Sequence, residues 1–314
     1  MRHRLLIVVG KGGVGRTCVS AALGMLSVRA GRRVLLMEID SRAAMSTLFG
    51  RKPVYEPTEV SPGLFLMALD GRNALEQYLG LALPSARMVR AVVASRLYKY
   101  FVQAAPGLRE LIMIGKLLHE IERRPAGEPP WDNVIFDAPA SGHALSLLQM
   151  PLAADGAFGA SVVGRESRNV AALLRDRDRT AIIQVSTPEP LAIAETIETH
   201  RALCDLGLEP SGIVMNRMVA APFGNREIEG LERRAARAES ADQIAPLVRI
   251  ARARLRTAAH HHEALNDIRA AIGGEVIELP EVADADGLDL IERIVERLEF
   301  EISSEPRIAS PAAV

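Results

Sequence analysis

Short apolar runs recur along the chain, at residues 5–9, 34–37, 64–67, 134–136, 182–185, 213–215 and 276–279. Five of them have no polar position, 182–185 carries Gln184 and 276–279 carries Glu278; such runs suit strands whose two faces are both covered, as in a parallel sheet. Helical stretches separate several of them, so the pattern reads as βαβ units. The clearest helix spans 17–30 and is stopped by Gly31; another spans 192–206, after the turn at 188–190. Between 50 and 131 the pattern changes. After one strand come helices with thick apolar faces: Leu75, Tyr78 and Leu79, then Met88, Val89, Val92, Val93, Leu97 and Tyr98, then Leu108, Leu111, Ile112, Ile114, Leu117 and Leu118. This predicts a helical subdomain inserted over about 70–130, set against the simpler reading of a helical layer over the sheet. The expected architecture is α/β: a mostly parallel sheet with helices on both faces, one domain over 1–300 and a loose tail over 301–314 that carries Pro306 and Pro311.

Composition narrows the function classes. The 38 basic and 39 acidic residues of the 314 nearly cancel, which argues against a strongly basic nucleic-acid binder. Arg249, Arg252, Arg254 and Arg256 precede His260, His261 and His262, but Glu227, Glu229, Glu232 and Glu239 offset them, so a solvated helix face is expected and no nucleic-acid partner. Three adjacent histidines point in different directions on a helix and make a poor metal site. Cys18 and Cys204 supply neither a disulfide framework nor a four-cysteine zinc site. The first nine residues lack the apolar stretch of a signal peptide, and no run approaches the ~18 residues of a membrane span, so a cytoplasmic location is expected. Only four basic residues are lysine, at positions 11, 52, 99 and 116, so an arginine is the commonplace cation in this chain.

The strongest chemical signal is Gly10-Lys11-Gly12-Gly13-Val14-Gly15-Arg16-Thr17, between the first strand and the first helix. Glycines let the backbone turn its N–H groups toward an anion, and the helix N-terminus adds a favourable dipole. Two readings compete. Gly10, Gly12 and Gly15 satisfy GxGxxG, and Glu38 ends the second strand about where a ribose-binding acid of a dinucleotide fold would sit. Alternatively the segment is GxxxxGK[ST] with arginine for lysine, and the Thr17 hydroxyl ligates the magnesium of a bound nucleotide. Thr17 directly after a basic residue, and the cation Lys11 inside the loop, favour this phosphate loop. Two carboxylates extend it. Asp40, just past the second strand, can place a water in line with a γ-phosphate, or cap a helix; Asp137, at the end of a buried strand, can hold magnesium through water.

The segment GKGGVG resembles the deviant phosphate loop of the ArsA, Get, MinD and ParA ATPases. The stretch from Asp137 through Ala138-Pro139-Ala140-Ser141-Gly142 to His143 resembles the second switch of the ArsA/Get family, FDTAPTGHTLR, with the same spacing from aspartate to histidine. Residues 105–110 resemble its PGIDE stretch, Thr187-Pro188-Glu189 its TxPE segment, and Leu279-Pro280-Glu281 the loop that flanks the base. The likeness covers about residues 4–298. It implies a phosphate-loop NTPase fold and an ATP/ADP and Mg2+ site. Gly10, Lys11, Gly12, Gly13, Val14, Gly15, Arg16, Thr17 and Cys18 would hold the phosphates, and Asn216 and Pro280 the adenine. Thr17, with Asp40 and Asp137 through water, would hold the metal. Asp40, Lys11 and Arg16 would serve hydrolysis, Lys11 by reaching across a dimer to the other subunit's nucleotide.

Several features depart from the family's pattern. Arg16 stands in place of the loop lysine, with a larger, planar head. The first switch reads Asp40-Ser41-Arg42-Ala43-Ala44 instead of DPAHS, losing its histidine. Residues 151–180 are short and rich in small side chains, against a full groove for a membrane helix. No CxxC pair is present, so no zinc is expected, and no cysteine-based arsenite site is supported. The chain looks most similar to the short ArsA-like ATPases that some bacteria encode as paralogous pairs. Three functions are carried forward: an ATPase switch acting on a protein client, as a homodimer or with a paralogue; a nucleotide-binding subunit with little turnover of its own; and a positioning ATPase of the MinD/ParA kind. The last would use the amphipathic stretch 288–300 (Leu290, Ile291, Ile294, Val295, Leu298), but Asp289, Glu292, Glu296 and Glu299 make it too acidic for an anionic membrane, so no stable membrane association is expected.

Overall fold

A computed structural model of the chain describes residues 3–39, 44–82, 85–96, 108–123, 130–158, 162–236 and 241–304. The strands are β1 (Leu5–Gly10), β2 (Val34–Ile39), β3 (Thr58–Ser61), β4 (Leu64–Leu69), β5 (Asn133–Asp137), β6 (Thr180–Ser186), β7 (Gly212–Met218) and β8 (Val276–Pro280). They form one sheet in the order β3-β4-β2-β5-β1-β6-β7-β8, parallel except for the β3–β4 pair. The apolar runs are strands because alternate positions serve two cores. Leu5, Ile7, Val9, Leu35, Met37, Val134 and Phe136 enter one cluster; Leu6, Val8, Val34, Leu36 and Ile135 enter the other.

Helices cover both faces. α1 (Arg16–Arg29) follows β1, and the short α2 (Ala44–Leu48) follows β2. Between β4 and β5 lie α3 (Gly71–Ala82), α4 (Ala86–Ala94) and α5 (Leu108–Glu122). Leu111, Ile114, Leu117, Leu118 and Ile121 of α5 join the first core cluster, so this helix lies on the sheet. α3 packs on α5 and α4 on α3, with Met88 and Val92 of α4 exposed. Leu97 and Tyr98 fall outside the described residues. α6 (Ser141–Phe158) and α7 (Val162–Arg175) cover the same face through Leu147, Leu148, Val170, Leu173 and Leu174. α8 (Pro190–Asp205) follows β6 with a proline in its first turn.

The charge-rich segment after β7 forms two helices, α9 (Asn225–Ala235) and α10 (Ala241–Ile272). Its arginines are partly committed to local pairs. Arg252 makes a two-pronged contact with Glu232, at 2.6 and 2.7 Å, and Arg254 donates to the Ala220 carbonyl. The C-terminal helix α11 (Gly287–Ser304) runs past residue 300, where the sequence suggests the tail begins. An Arg297–Glu301 pair one turn apart carries it across that boundary. Residues 305–314 lie outside the described residues.

The apolar stripe of α11 is spent inside the protein. Ile291, Ile294, Val295 and Leu298 are buried with Val19, Ala22 and Leu23 of α1 in the second core cluster. Among the described residues, no helix is long and apolar enough to cross a membrane. Truncating this stripe tests its role as core. Ile291→Ala is expected to cost about 2–4 kcal/mol of folding stability, read as a lower urea midpoint. A midpoint unchanged from the wild type would mean that the stripe is not packed in the core.

Candidate functional site

The loop leaving β1 is shaped by close backbone approaches. Gly10 pairs with Val185 of β6, and a β-carbon at Gly10 would lie 2.4 Å from the Val185 carbonyl oxygen. Gly13 and Gly15 have φ of 92° and 88°, the left-handed region that favours glycine. A β-carbon at Gly15 would also lie 2.3 Å from Asn216 Nδ2. Gly15 is the N-cap of α1 and supplies no side-chain hydrogen bond to it, and the first turn of α1 holds no acidic residue. Its N–H groups and dipole are therefore left for an anion from outside the helix.

Asp137 ends β5 between Val8 of β1 and Glu38 of β2, and is 6% exposed. Its carboxylate accepts from Arg16 Nε at 3.0 Å, Thr17 Oγ1 at 2.7 Å and Ser20 Oγ at 3.3 Å. Burial pushes its carboxyl up from the ordinary value; the Arg16 charge and the hydrogen bonds from Thr17, Arg16 and Ser20 oppose that shift. Arg16 also donates through Nη1 to the Gly10 carbonyl at 2.7 Å, so its guanidinium bridges the first residue of the loop and the buried carboxylate. This donor set fits a divalent cation with nucleotide phosphates: one hydroxyl and one carboxylate already adjacent, beside a glycine loop with open space over Gly12 and Gly13.

Asn216 ends the regular part of β7. Its Nδ2 donates to the Val14 carbonyl at 2.8 Å, and its Oδ1 accepts from the Arg217 backbone N–H at 2.9 Å. The amide therefore ties the loop to β7, with one N–H and one lone pair left over. Pro280 ends β8, in register with Met218, and the Glu281 N–H donates to the Met218 carbonyl at 2.9 Å. The loop after β8 is thereby held beside the end of β7. Cys18, in the first turn of α1, is half-buried; burial pushes its thiol up, and the Arg217 charge works against that.

Lys11 pairs with Glu195 of α8 at 3.6 Å within the same chain. Glu195 also accepts from the Ser141 hydroxyl at the start of α6. The expected second switch, with Gly142 and His143 exposed in that first turn, is thus linked to the loop through one carboxylate. Asp40 and the rest of the altered first switch up to residue 43 lie outside the described residues, as do residues 105–107.

Glu38 has a different job from the ribose contact weighed for it. It is 3% exposed and accepts the backbone N–H groups of Met45 and Ser46, at 2.9 and 3.0 Å, together with the Ser46 hydroxyl. Its carboxylate is consumed in fastening α2 to the end of β2, which removes the main support for a dinucleotide reading. Ser20 and Glu195 belong to no sequence motif of the site. Ser20 lies one turn after Arg16, a spacing that could have flagged it, whereas Glu195 meets Lys11 only through the fold.

A sequence model of the anion-transporting ATPase family matches residues 3–166. The chain is 28% identical over 225 residues to ATPase BagA of Mycobacterium tuberculosis, covering 69% of this chain and 66% of that protein. It is 25% identical over 253 residues to ATPase ASNA1 homolog 1 of Paramecium tetraurelia, covering 68% and 74%. It is 24% identical over 246 residues to the arsenical pump-driving ATPase of Escherichia coli, covering 71% and 40%. The match thus spans just under two thirds of the length of BagA and well under half of the pump-driving protein.

The contact between Gly15 and Asn216 is testable without ligand. Gly15→Ala forces a side chain into a left-handed residue and against the Asn216 amide. It should cost at least about 1–2 kcal/mol, seen by chemical denaturation. Stability equal to the wild type would show that the loop does not adopt this path.

Proposed function

This chain belongs to the anion-transporting ATPase family, and from that premise we propose that it binds Mg-ATP in the loop after β1 and hydrolyses it at an interface between two subunits. One domain over residues 1–300 carries the activity, and the partner is a second copy or a paralogue. The observation that carries this reading is the convergence of Thr17, Ser20 and Arg16 on Asp137, beside a glycine loop that caps α1 without a side chain. In this reading the backbone N–H groups of residues 10–18 bind the phosphates, and Thr17 and Asp137 hold the metal, Asp137 through water. Magnesium, when bound, neutralises charge developing on the phosphoryl oxygens. Asp40 orients the attacking water. Lys11 exchanges Glu195 for the nucleotide of the partner subunit, and its release leaves the Glu195 carboxylate, still bound to Ser141 at the head of α6, without its cation. Asn216 and Pro280 flank the adenine. Closure of the two subunits then alters the surface offered to a protein client by the helices between β4 and β5.

A specific observation favours a second reading, in which the chain turns over little ATP alone and supports a catalytic paralogue. Arg16 occupies both the Gly10 carbonyl and Asp137, and its planar, bulky head is poorly suited to follow a small movement of charge at the γ-phosphate. A loss of about 3–4 kcal/mol of transition-state contact slows hydrolysis roughly 100- to 1000-fold while leaving binding intact. The third reading, a positioning ATPase of the MinD/ParA kind, has less support, because the α11 stripe that would meet a membrane is packed on α1.

Steady-state phosphate release from the purified full chain with Mg-ATP separates the first two readings. Arg16→Lys is expected to raise turnover by about 100-fold or more, with nucleotide affinity changed only a few-fold. Equal turnover in the two proteins would establish an ATPase that works with arginine and remove the case for a dependent subunit. A wild type that binds no adenine nucleotide would contradict both.

A further inference from the structure

Arg217 follows Asn216 and is not assigned a role by the loop, the switches or the likeness to the family. Its backbone is unusual. With φ of 59° it is one of two residues other than glycine, among those described, in the left-handed region; the other is Asp284. The conformation coincides with a break in the β7–β8 register between Met215 and Met218. It is held from one side by the Asn216 side chain, which accepts the Arg217 N–H at 2.9 Å while gripping the Val14 carbonyl of the loop. It is held from the other by the Met218 carbonyl, which accepts from Glu281 in the loop after β8. A non-glycine residue kept in this region by its surroundings, at the edge of a binding site, is a feature that uniform packing does not require.

This placement fixes where the side chain works. Arg217 is exposed, and its guanidinium makes no hydrogen bond or ion pair with any described residue. Its two chain neighbours fix its surroundings: Asn216 grips Val14 of the loop, and Met218 holds Glu281 of the segment after β8. Arg217 thus stands in the chain between the residue tied to the loop and the residue tied to the segment carrying Pro280 and Glu281, where the proposed site would hold the base. Half of the hydrogen-bonding capacity of the Asn216 amide is already engaged with the backbone, so adenine gains from further contact with a neighbour. A planar cation with no other partner can provide it by lying over the ring.

We propose that Arg217 is a nucleotide-binding residue whose guanidinium stacks on the purine of the bound nucleotide. The inference rests on the nucleotide-site reading above and adds a base contact to it. Because the contact is with the nucleoside, it acts on ATP and ADP alike and leaves the γ-phosphate machinery untouched.

The test is equilibrium binding of fluorescently labelled ATP and ADP to the full chain, comparing wild type, Arg217→Gly and Arg217→Lys. Glycine tolerates the left-handed backbone, so Arg217→Gly should unfold no earlier than the wild type when free of ligand. Its affinity for both nucleotides should nevertheless fall by about tenfold. Lysine keeps the charge without the plane and should recover only a minor part of the loss. Unchanged affinity in Arg217→Gly overturns the proposal, and so does full recovery with lysine, which would assign the effect to a point charge. A wild type that binds neither nucleotide would bring down the nucleotide-site reading and this inference together; normal wild-type binding with an unaffected Arg217→Gly would bring down the inference alone.

Discussion

The Asp137 carboxylate is the constraint on which the site depends. It sits at the end of β5, flanked by β1 and β2 and almost sealed from water. A carboxylate in that position costs several kcal/mol unless it is paired or hydrogen-bonded. Arg16, Thr17 and Ser20 meet that need, and all three belong to the first turns of α1. The loop between β1 and α1 is therefore pinned at both ends: by the parallel pairing of Gly10 with Val185, and by Asp137 holding the helix start. Its glycines are what allow the backbone to bridge that gap with its N–H groups free.

Two further ties join the loop to other elements of the fold. Asn216 couples Val14 and Gly15 to β7, so a movement of the loop is felt at Arg217 and at the segment after β8. Glu195 couples Lys11 to Ser141, so a lysine drawn away toward a second subunit would leave the Glu195 carboxylate with Ser141 at the start of α6 but without its cation. In both cases one polar side chain serves two elements. Such a shared group couples its two partners, because hydrogen bonds in one network polarise one another. Arg16 adds to this rigidity. Its bridge from Gly10 to Asp137 ties the loop to β5, and in the proposed nucleotide site the same bridge would restrain the cation from following the phosphoryl group.

Seven apolar runs were legible as strands because burial on two faces leaves few polar positions to confuse the pattern, with Gln184 and Glu278 the exceptions. The eighth strand was not. Thr58–Ser61 is a short, largely exposed edge segment, antiparallel to β4, with no apolar face to mark it. The glycine loop, Thr17 and Asp137 could be read from spacing, since strand–loop–helix geometry brings a loop residue and a neighbouring strand end together. Partners brought by topology alone could not: Glu195 comes from a helix on the far side of the chain's middle, and Arg217 shows its significance only through a dihedral angle. Glu38 misled because an acid at the end of the second strand suits a ribose contact as well as a helix cap, and only the position of α2 decides between them.

The central claim is that Asp137 and Thr17 form the metal side of a nucleotide site. The most direct measurement is ATP affinity with magnesium and with chelator, in the wild type and in Asp137→Asn, which keeps the shape of the side chain and removes its charge. Magnesium should tighten binding to the wild type, and that gain should disappear in the variant. A wild type indifferent to magnesium, or a variant that retains the full gain, would contradict the account.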